Sequence, residues 1–200
     1  MNHNLHPHQK DELAELAVIA MRERGLAPEF SRDALRQLDA IDGASEADGA
    51  GIVDLTGLLW CSIDNDDSRD LDQLTVSEVL KDGAVKILVA IADVDTLVEK
   101  DTPIDRHAQI NTTSVYTSAR IFPMLPEKLS TDLTSLNPHQ RRVATVTEMV
   151  IAPDGELTRS HIQRARVHNK AQLAYDAVSA WITGDGPLPE AADRVPGLDQ

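Results

Sequence analysis

Residues 58–73 read Leu-Leu-Trp-Cys-Ser-Ile-Asp-Asn-Asp-Asp-Ser-Arg-Asp-Leu-Asp-Gln, an apolar run followed by five aspartates within the nine positions 64–72. The apolar run predicts a strand over 58–63 that is followed by an acidic loop. Carboxylates gathered at one place repel one another unless a cation compensates their charge or water separates them. The stretch therefore has two interpretations, a metal site or a solvated acidic loop.

Two further pairs of segments in the sequence are typical of antiparallel strands joined by a turn. Residues 74–79 and 84–94 predict two more strands, joined by a hairpin turn at Lys81-Asp82-Gly83. Residues 143–151 and 157–167 flank Pro153-Asp154-Gly155, a turn suited to a second antiparallel pair. Residues 114–116 look extended.

Helical patterns surround these strands. The spacing of apolar residues predicts helices over 9–24, 32–41, 101–110 and 170–182, and one or two helical turns over 126–136. Ser31 and Asn169 are the expected N-caps of the second and fourth helices, Asp101 and Pro103 open the third, and Gly184 ends the fourth. Residues 184–200 carry no pattern that would fold alone.

Composition restricts the classes of function. A net charge of −14 argues against binding a polyanion through bulk electrostatics, so a nucleic-acid partner must be held in a local groove with metal ions reducing the repulsion. The lone cysteine, Cys61, excludes an intrachain disulfide and favours a reducing compartment. Because no run of eighteen apolar residues is present, we expect a cytoplasmic protein without a membrane partner.

A calcium-binding EF-hand is the obvious competitor for the acidic stretch. Counted from Asp64, the sixth position is Arg69 where that loop requires glycine, and the twelfth is Thr75 where it requires a bidentate glutamate. The flanks also read as strands. The pattern suits Mg²⁺ better, since this ion accepts one or two carboxylates and keeps sites for water and substrate phosphate.

The acidic stretch resembles the catalytic signature of the RNB (ribonuclease II and ribonuclease R) family of 3′–5′ exoribonucleases, in which Ile-Asp is followed by five residues and then Asp-x-Asp-Asp. Further segments resemble that family in the same order: Val89-Ala90-Ile91-Ala92-Asp93, Thr113-Ser114-Val115-Tyr116, the block from Ile121 to Ser130, Ser135-Leu136-Asn137, and a helix containing Tyr175. The resemblance covers residues 45–183.

The resemblance implies an α+β catalytic domain with a curved antiparallel sheet and surrounding helices, preceded by a helical N-terminal element over residues 1–44. It implies an enzyme that hydrolyses single-stranded RNA from the 3′ end, with Mg²⁺ or Mn²⁺, and releases nucleoside 5′-monophosphates. By position, Asp64, Asp70 and Asp72 would hold the metal and, with Gln73, form the catalytic set. Tyr116 would bind the substrate by stacking on a base.

Two departures from the family pattern stand beside the matches. Gln73 occupies the position where the family most often has a fourth aspartate, and an amide can coordinate only through an uncharged carbonyl oxygen. Residues 45–200 correspond to the N-terminal portion of the catalytic domain, and the family's later arginine-rich segment has no counterpart in 184–200. We therefore expect an incomplete domain.

Two other classes of function remain open beside the nuclease. One is a noncatalytic RNA-binding or regulatory module that retains the acidic loop. The other is a structural protein that binds a divalent cation without RNA.

Overall fold

The structure is a computed structural model that describes residues 7–45 and 51–199. It divides the chain into two compact units, one made of Met1–Asp42 with Val98–Lys128, the other of Gly43–Leu97 with Leu129–Gln200. The expected domain boundary after residue 44 stays a prediction. Within the described ranges, no helix has the length and apolar character needed to cross a membrane.

Each unit is made of two separate stretches of the chain, so successive helices and strands do not all belong to the same unit. The helices are α1 (Pro7–Glu23), α2 (Arg32–Asp39), α3 (Pro103–Asn111), α4 (Tyr175–Thr183) and α5 (Glu190–Asp193). The strands are β1 (Val53–Asp54), β2 (Cys61–Asp64), β3 (Gln73–Val79), β4 (Val85–Ala92), β5 (Val115–Tyr116), β6 (Ile121–Phe122), β7 (Arg141–Ile151), β8 (Leu157–His168) and β9 (Ala171–Ala174). A 3₁₀ turn covers Val94–Thr96, and a π-helical segment covers Lys128–Leu133.

The first unit contains α1, α2, α3 and the small β5–β6 hairpin. Ser31 is the N-cap of α2 as predicted, because its Oγ accepts the Ala34 N–H at 3.1 Å. The helix α3 begins at Pro103 and its N-cap is Thr102, so the predicted opening at Asp101 was two residues early. Its first turn is instead capped by Gln37 of α2, whose Oε1 accepts the Ile104 N–H at 2.9 Å.

The second unit is built on a seven-stranded sheet with the order β1-β8-β7-β4-β3-β2-β9. The four central pairings, from β8 to β2, are antiparallel, as the predicted hairpins require. The two outer pairings, β1 with β8 and β2 with β9, are parallel. The observed fold is thus the expected α+β class with a largely antiparallel sheet.

One face of this sheet carries the main apolar core of the second unit. Its centre is Trp60, which is fully buried and donates its indole N–H to the Leu55 carbonyl at 2.9 Å. The residues packed with it are Leu74, Leu88, Ala90, Leu136, Ala144, Val146, Ala165 and Val167. A smaller cluster forms where α5 packs on β2 and β9, and it includes Cys61, Ala171, Leu173 and Ala192. The two clusters are aliphatic apart from Trp60 and Cys61.

The predicted helix over 170–182 was wrong in its first five residues. Residues 171–174 form β9, which pairs with β2 from Cys61 to Asp64, and the helix begins only at Tyr175. Backbone pairing with a distant strand therefore overrides the local helical pattern. The predicted end at Gly184 is confirmed by its left-handed conformation, φ 78°.

Candidate active site

The aspartate loop, residues 64–73, joins the end of β2 to the start of β3. Asp64 is the last residue of β2 and is partly exposed, while Gln73 is the first residue of β3. The Asp64 Oδ1 accepts the Asn65 N–H at 2.7 Å, and the Ser68 N–H bonds the Asn65 carbonyl at 3.2 Å. These bonds form a local turn in which Asp66 and Asp67 are exposed.

Leu71 holds the second half of the loop against the protein. Its side chain is 2% exposed, whereas the neighbouring Asp70 and Asp72 are exposed. Burial of an apolar side chain between two carboxylates keeps the backbone close to the core while both acids remain accessible. The loop is therefore anchored at its centre.

Two of the aspartates affect the ionisation of a third. The pKa of Asp72 is raised above its ordinary value, chiefly because the surrounding protein removes part of its hydration, and further by the negative charges of Asp64 and Asp70. Asp72 is exposed by accessible area, so this desolvation is partial. The assignment of these three carboxylates as metal ligands stays a prediction.

Gln73 lies beside this group on a different surface. Its side chain lines an open cleft of about 480 Å³ together with Cys61, Ile63, Thr75, Tyr175, Val178, Ser179, Ile182 and Thr183. None of the three aspartates lines that cleft. Successive side chains along a strand point to opposite faces. Since Ile63 lines the cleft, the next residue, Asp64, lies on the opposite face of β2.

Tyr116 belongs to the first unit, in β5. Its side chain is 65% exposed, so the ring is not packed into the interior of that unit. An exposed aromatic face can stack on a nucleobase without reading its identity. Its assignment as a substrate-binding residue stays a prediction.

The contacts that hold the aspartate loop were not predicted. Leu71 is bonded on its N–H by Ser135 Oγ at 3.1 Å, and on its carbonyl by the Leu136 N–H at 2.7 Å. Gln172 of β9 donates to the Ser68 carbonyl at 3.3 Å. The signal available in the sequence was a run of small polar residues, Thr134 and Ser135, beside apolar neighbours, since buried polar groups usually have a specific hydrogen-bond partner.

The donor set of the loop fits a hard divalent cation. Asp64, Asp70 and Asp72 supply oxygen ligands and an excess of negative charge, and Mg²⁺ and Mn²⁺ favour both. Across residues 7–45 and 51–199, no three acidic, histidine or cysteine side chains form a preassembled metal-binding group.

The fold and the loop together define an α+β domain with a carboxylate loop at the end of a sheet strand. The RNB domain family model matches residues 52–198. The chain therefore belongs to the RNB domain family.

Individual relatives agree with this membership. The chain is 41% identical over 141 residues to Ribonuclease R of Escherichia coli K12, covering 70% of this chain and 17% of that protein. It is 36% identical over 183 residues to Ribonuclease R of Acidithiobacillus ferrooxidans, covering 90% of this chain and 42% of that protein. The chain thus spans less than half the length of either relative.

A solved structure gives the same result for the fold. RNase R of Mycoplasma genitalium in complex with double-stranded RNA matches with a TM-score of 0.79 and 29% identity. The match covers 90% of this chain and 32% of that one.

Proposed function

We propose that this chain carries an exoribonuclease site, with Asp64, Asp70 and Asp72 as metal ligands, that hydrolyses single-stranded RNA from the 3′ end and releases nucleoside 5′-monophosphates. The observation that carries the proposal is the aspartate loop at the end of β2, in which the negative charges of Asp64 and Asp70 contribute to the raised pKa of Asp72. Family membership and the Ribonuclease R relatives support RNA as the substrate.

In this proposal Asp64, Asp70 and Asp72 would hold Mg²⁺ or Mn²⁺. The bound ion would supply charge stabilisation for the phosphate and a lower pKa for an attacking water. Hydrolysis adds the water oxygen to phosphorus and breaks the bond to the 3′ oxygen of the preceding nucleotide. The products are a nucleoside 5′-monophosphate and an RNA shortened by one residue with a 3′ hydroxyl.

Tyr116 of the first unit would bind the RNA. The exposed ring of Tyr116 provides a stacking surface for a base, which holds a strand without selecting a sequence. The net charge of −14 makes bulk attraction of RNA weak, so binding depends on the local site and on the metal. We therefore expect a steep dependence of RNA affinity on divalent cation.

The direct test uses the full chain, a 5′-labelled poly(A) strand and Mg²⁺, with a matched double-stranded RNA in parallel. We expect progressive shortening of the single strand from its 3′ end. The variant Asp72→Asn should stop shortening and, because it lacks one metal ligand, should also bind RNA more weakly in Mg²⁺. A single strand that stays unchanged, with normal RNA binding, contradicts the hydrolytic function.

A second candidate is a noncatalytic RNA-binding module, which the position of Gln73 favours. Its neutral amide replaces a family carboxylate and lines the cleft beside α4, so the site has one fewer negative ligand. This candidate predicts metal-dependent RNA binding without shortening. Comparison of RNA affinity with turnover, in the wild type and in Asp72→Asn, separates the two candidates.

A further inference from the structure

The hydroxyl of Ser135 lies at the centre of the contacts that hold the aspartate loop. Ser135 is 1% exposed, and its Oγ accepts the Leu71 N–H at 3.1 Å. Leu71 is the single residue between Asp70 and Asp72. A hydrogen bond at this N–H therefore acts on the peptide that links Leu71 to Asp70.

The adjacent residue completes the restraint on the other side of Leu71. The Leu136 N–H donates to the Leu71 carbonyl at 2.7 Å, so consecutive residues bond both backbone groups of Leu71. With the Leu71 side chain also buried, rotation of the two peptides that carry Asp70 and Asp72 is restricted.

Asn137 orients the Ser135 hydroxyl. Ser135 Oγ has one proton to donate. Asn137 Oδ1 lies 3.1 Å from this oxygen, and the Arg69 carbonyl is a longer alternative at 3.3 Å. Asn137 Nδ2 donates to the Thr131 carbonyl at 3.1 Å, which fixes Oδ1 toward Ser135. With its proton directed this way, the hydroxyl presents a lone pair to the Leu71 N–H.

We infer that Ser135, oriented by Asn137, is a positioning residue for the metal-binding aspartates. The inference rests on the proposed function for the role of Asp70 and Asp72. Restricting the backbone on both sides of Leu71 lowers the conformational entropy lost when the two carboxylates converge on a cation. Ser135 would thus contribute to cation affinity without contacting the cation.

Thr134 provides a matched control for Ser135. It is the preceding residue, is 6% exposed, and uses its hydroxyl to bond the Leu129 carbonyl at 2.9 Å, away from the aspartate loop. Thr134→Ala and Ser135→Ala each delete one buried hydroxyl from the same segment. A difference between them reports the contact with Leu71 and not the loss of a buried hydrogen bond in general.

The experiment measures Mn²⁺ affinity by electron paramagnetic resonance and amide exchange by NMR in the full chain. We expect Ser135→Ala to weaken Mn²⁺ binding roughly 10-fold, as is common for residues that orient metal ligands. It should also accelerate exchange of the Leu71 amide while amides of β4 and β7 keep their protection. Thr134→Ala should leave both quantities near wild type.

Asn137→Ala keeps the inference testable if Ser135→Ala does not fold, because Asn137 is only partly buried. It should weaken Mn²⁺ binding in the same direction by a smaller factor. Equal Mn²⁺ affinities in the Ser135, Asn137 and Thr134 variants would overturn the positioning role and leave the proposed function intact.

The wild type separates failure of the inference from failure of the proposed function. A wild type that binds no Mn²⁺ overturns both. A wild type that binds Mn²⁺ but leaves RNA intact overturns the hydrolytic function alone, and the variant comparison then still decides the role of Ser135.

Discussion

The Ala92 N–H donates to the Asp72 carbonyl at 2.9 Å, one residue beyond the last paired position of β3 and β4. Ala92 is also paired with Ala144 of β7, so this bond ties the backbone of Asp72 to the middle of the sheet. The next residue, Asp93, is buried and forms an ion pair with Arg164, in which Asp93 Oδ2 lies 2.8 Å from Arg164 Nε. The angles at Asp93 Oδ2 do not meet hydrogen-bond geometry. The sheet therefore holds the backbone at the C-terminal end of the aspartate loop.

The raised pKa of Asp72 predicts that Asp72→Asn stabilises the metal-free protein. A raised pKa means that the native state holds the Asp72 proton more tightly than the unfolded chain does. The contribution of this group to stability is consequently highest at low pH and falls as pH rises through its ordinary and then its raised pKa. At pH 7 the ionised carboxylate destabilises the fold, by about 1 kcal/mol or less because water screens an exposed group.

Thermal unfolding in EDTA at pH 7 measures this effect. We expect Asp72→Asn to raise Tm by roughly 2–4 °C at most, and Mg²⁺ to raise the Tm of the wild type more than that of the variant. A lower Tm for Asp72→Asn in EDTA would contradict the electrostatic account of the loop.

A second prediction concerns His107, which sequence patterns did not identify. The residue is 6% exposed and its ring centroid lies 4.0 Å from that of Phe30. Asn111 uses Oδ1 to accept the Ala27 N–H and Nδ2 to donate to the Ala27 carbonyl, so its Nδ2 also faces His107 Nε2, at 3.0 Å, as a donor. His107 Nε2 must therefore accept, which requires a neutral ring.

Desolvation by burial is the main cause that lowers the pKa of His107 below 6.5, opposed by a hydrogen bond to the Pro123 backbone. The unfolded chain then binds the proton more readily, so stability is lost as pH falls through 6.5 toward the lowered value. The loss is at most about 1.4 kcal/mol per pH unit. Urea unfolding at several pH values between 5 and 7.5 should give a flatter dependence for His107→Gln, whereas His161→Gln, at an exposed position, should keep the wild-type slope.

A third prediction is that Cys61 reacts slowly with thiol reagents in the folded protein. Burial raises the pKa of the thiol from 9.0 to about 11, and its sulfur lies 3.7 Å from the Thr75 carbonyl. The thiolate is the reactive form, so its fraction at pH 8 falls about 100-fold. Ellman's reagent should label the native protein at least that much more slowly than the urea-unfolded protein, and equal rates would show that β2 opens readily.

The local chemistry of turns and caps predicted much of the fold correctly. Gly83, with φ 81°, lies in the predicted turn between β3 and β4, and Ser31 caps α2. These features depend on neighbouring residues alone, so the sequence is sufficient to find them. The strands β7 and β8 follow for the same reason, since alternation and a Pro-Asp-Gly turn mark both.

Features that depend on distant residues were missed. Asn169 was predicted as a helix cap, but it is 1% exposed and donates to Ser62 Oγ at 3.2 Å and to the Leu136 carbonyl at 2.8 Å. Such partners are separated by many residues along the chain and leave no periodic trace. The three aspartates and Ser135 were both found in family-like segments, but only the structure shows that Ser135 bonds the Leu71 N–H between two of those aspartates.

The final prediction divides the five aspartates of the loop by function. Asp64 ends β2, where pairing with Ala174 of β9 holds its backbone, and its charge acts on Asp72. Asp66 lies in the exposed turn that follows and is not among the charges that raise the pKa of Asp72. Asp64→Asn and Asp66→Asn make the same chemical change two residues apart.

Loss of a ligand should weaken Mn²⁺ binding by roughly 10-fold or more in Asp64→Asn. Asp66→Asn should change Mn²⁺ affinity by no more than a factor of about two, since an exposed charge in water interacts weakly. Titration by electron paramagnetic resonance gives both affinities. Equal weakening in the two variants would mean that the loop attracts cations through its total charge, and the assignment of Asp64, Asp70 and Asp72 as specific ligands would then be wrong.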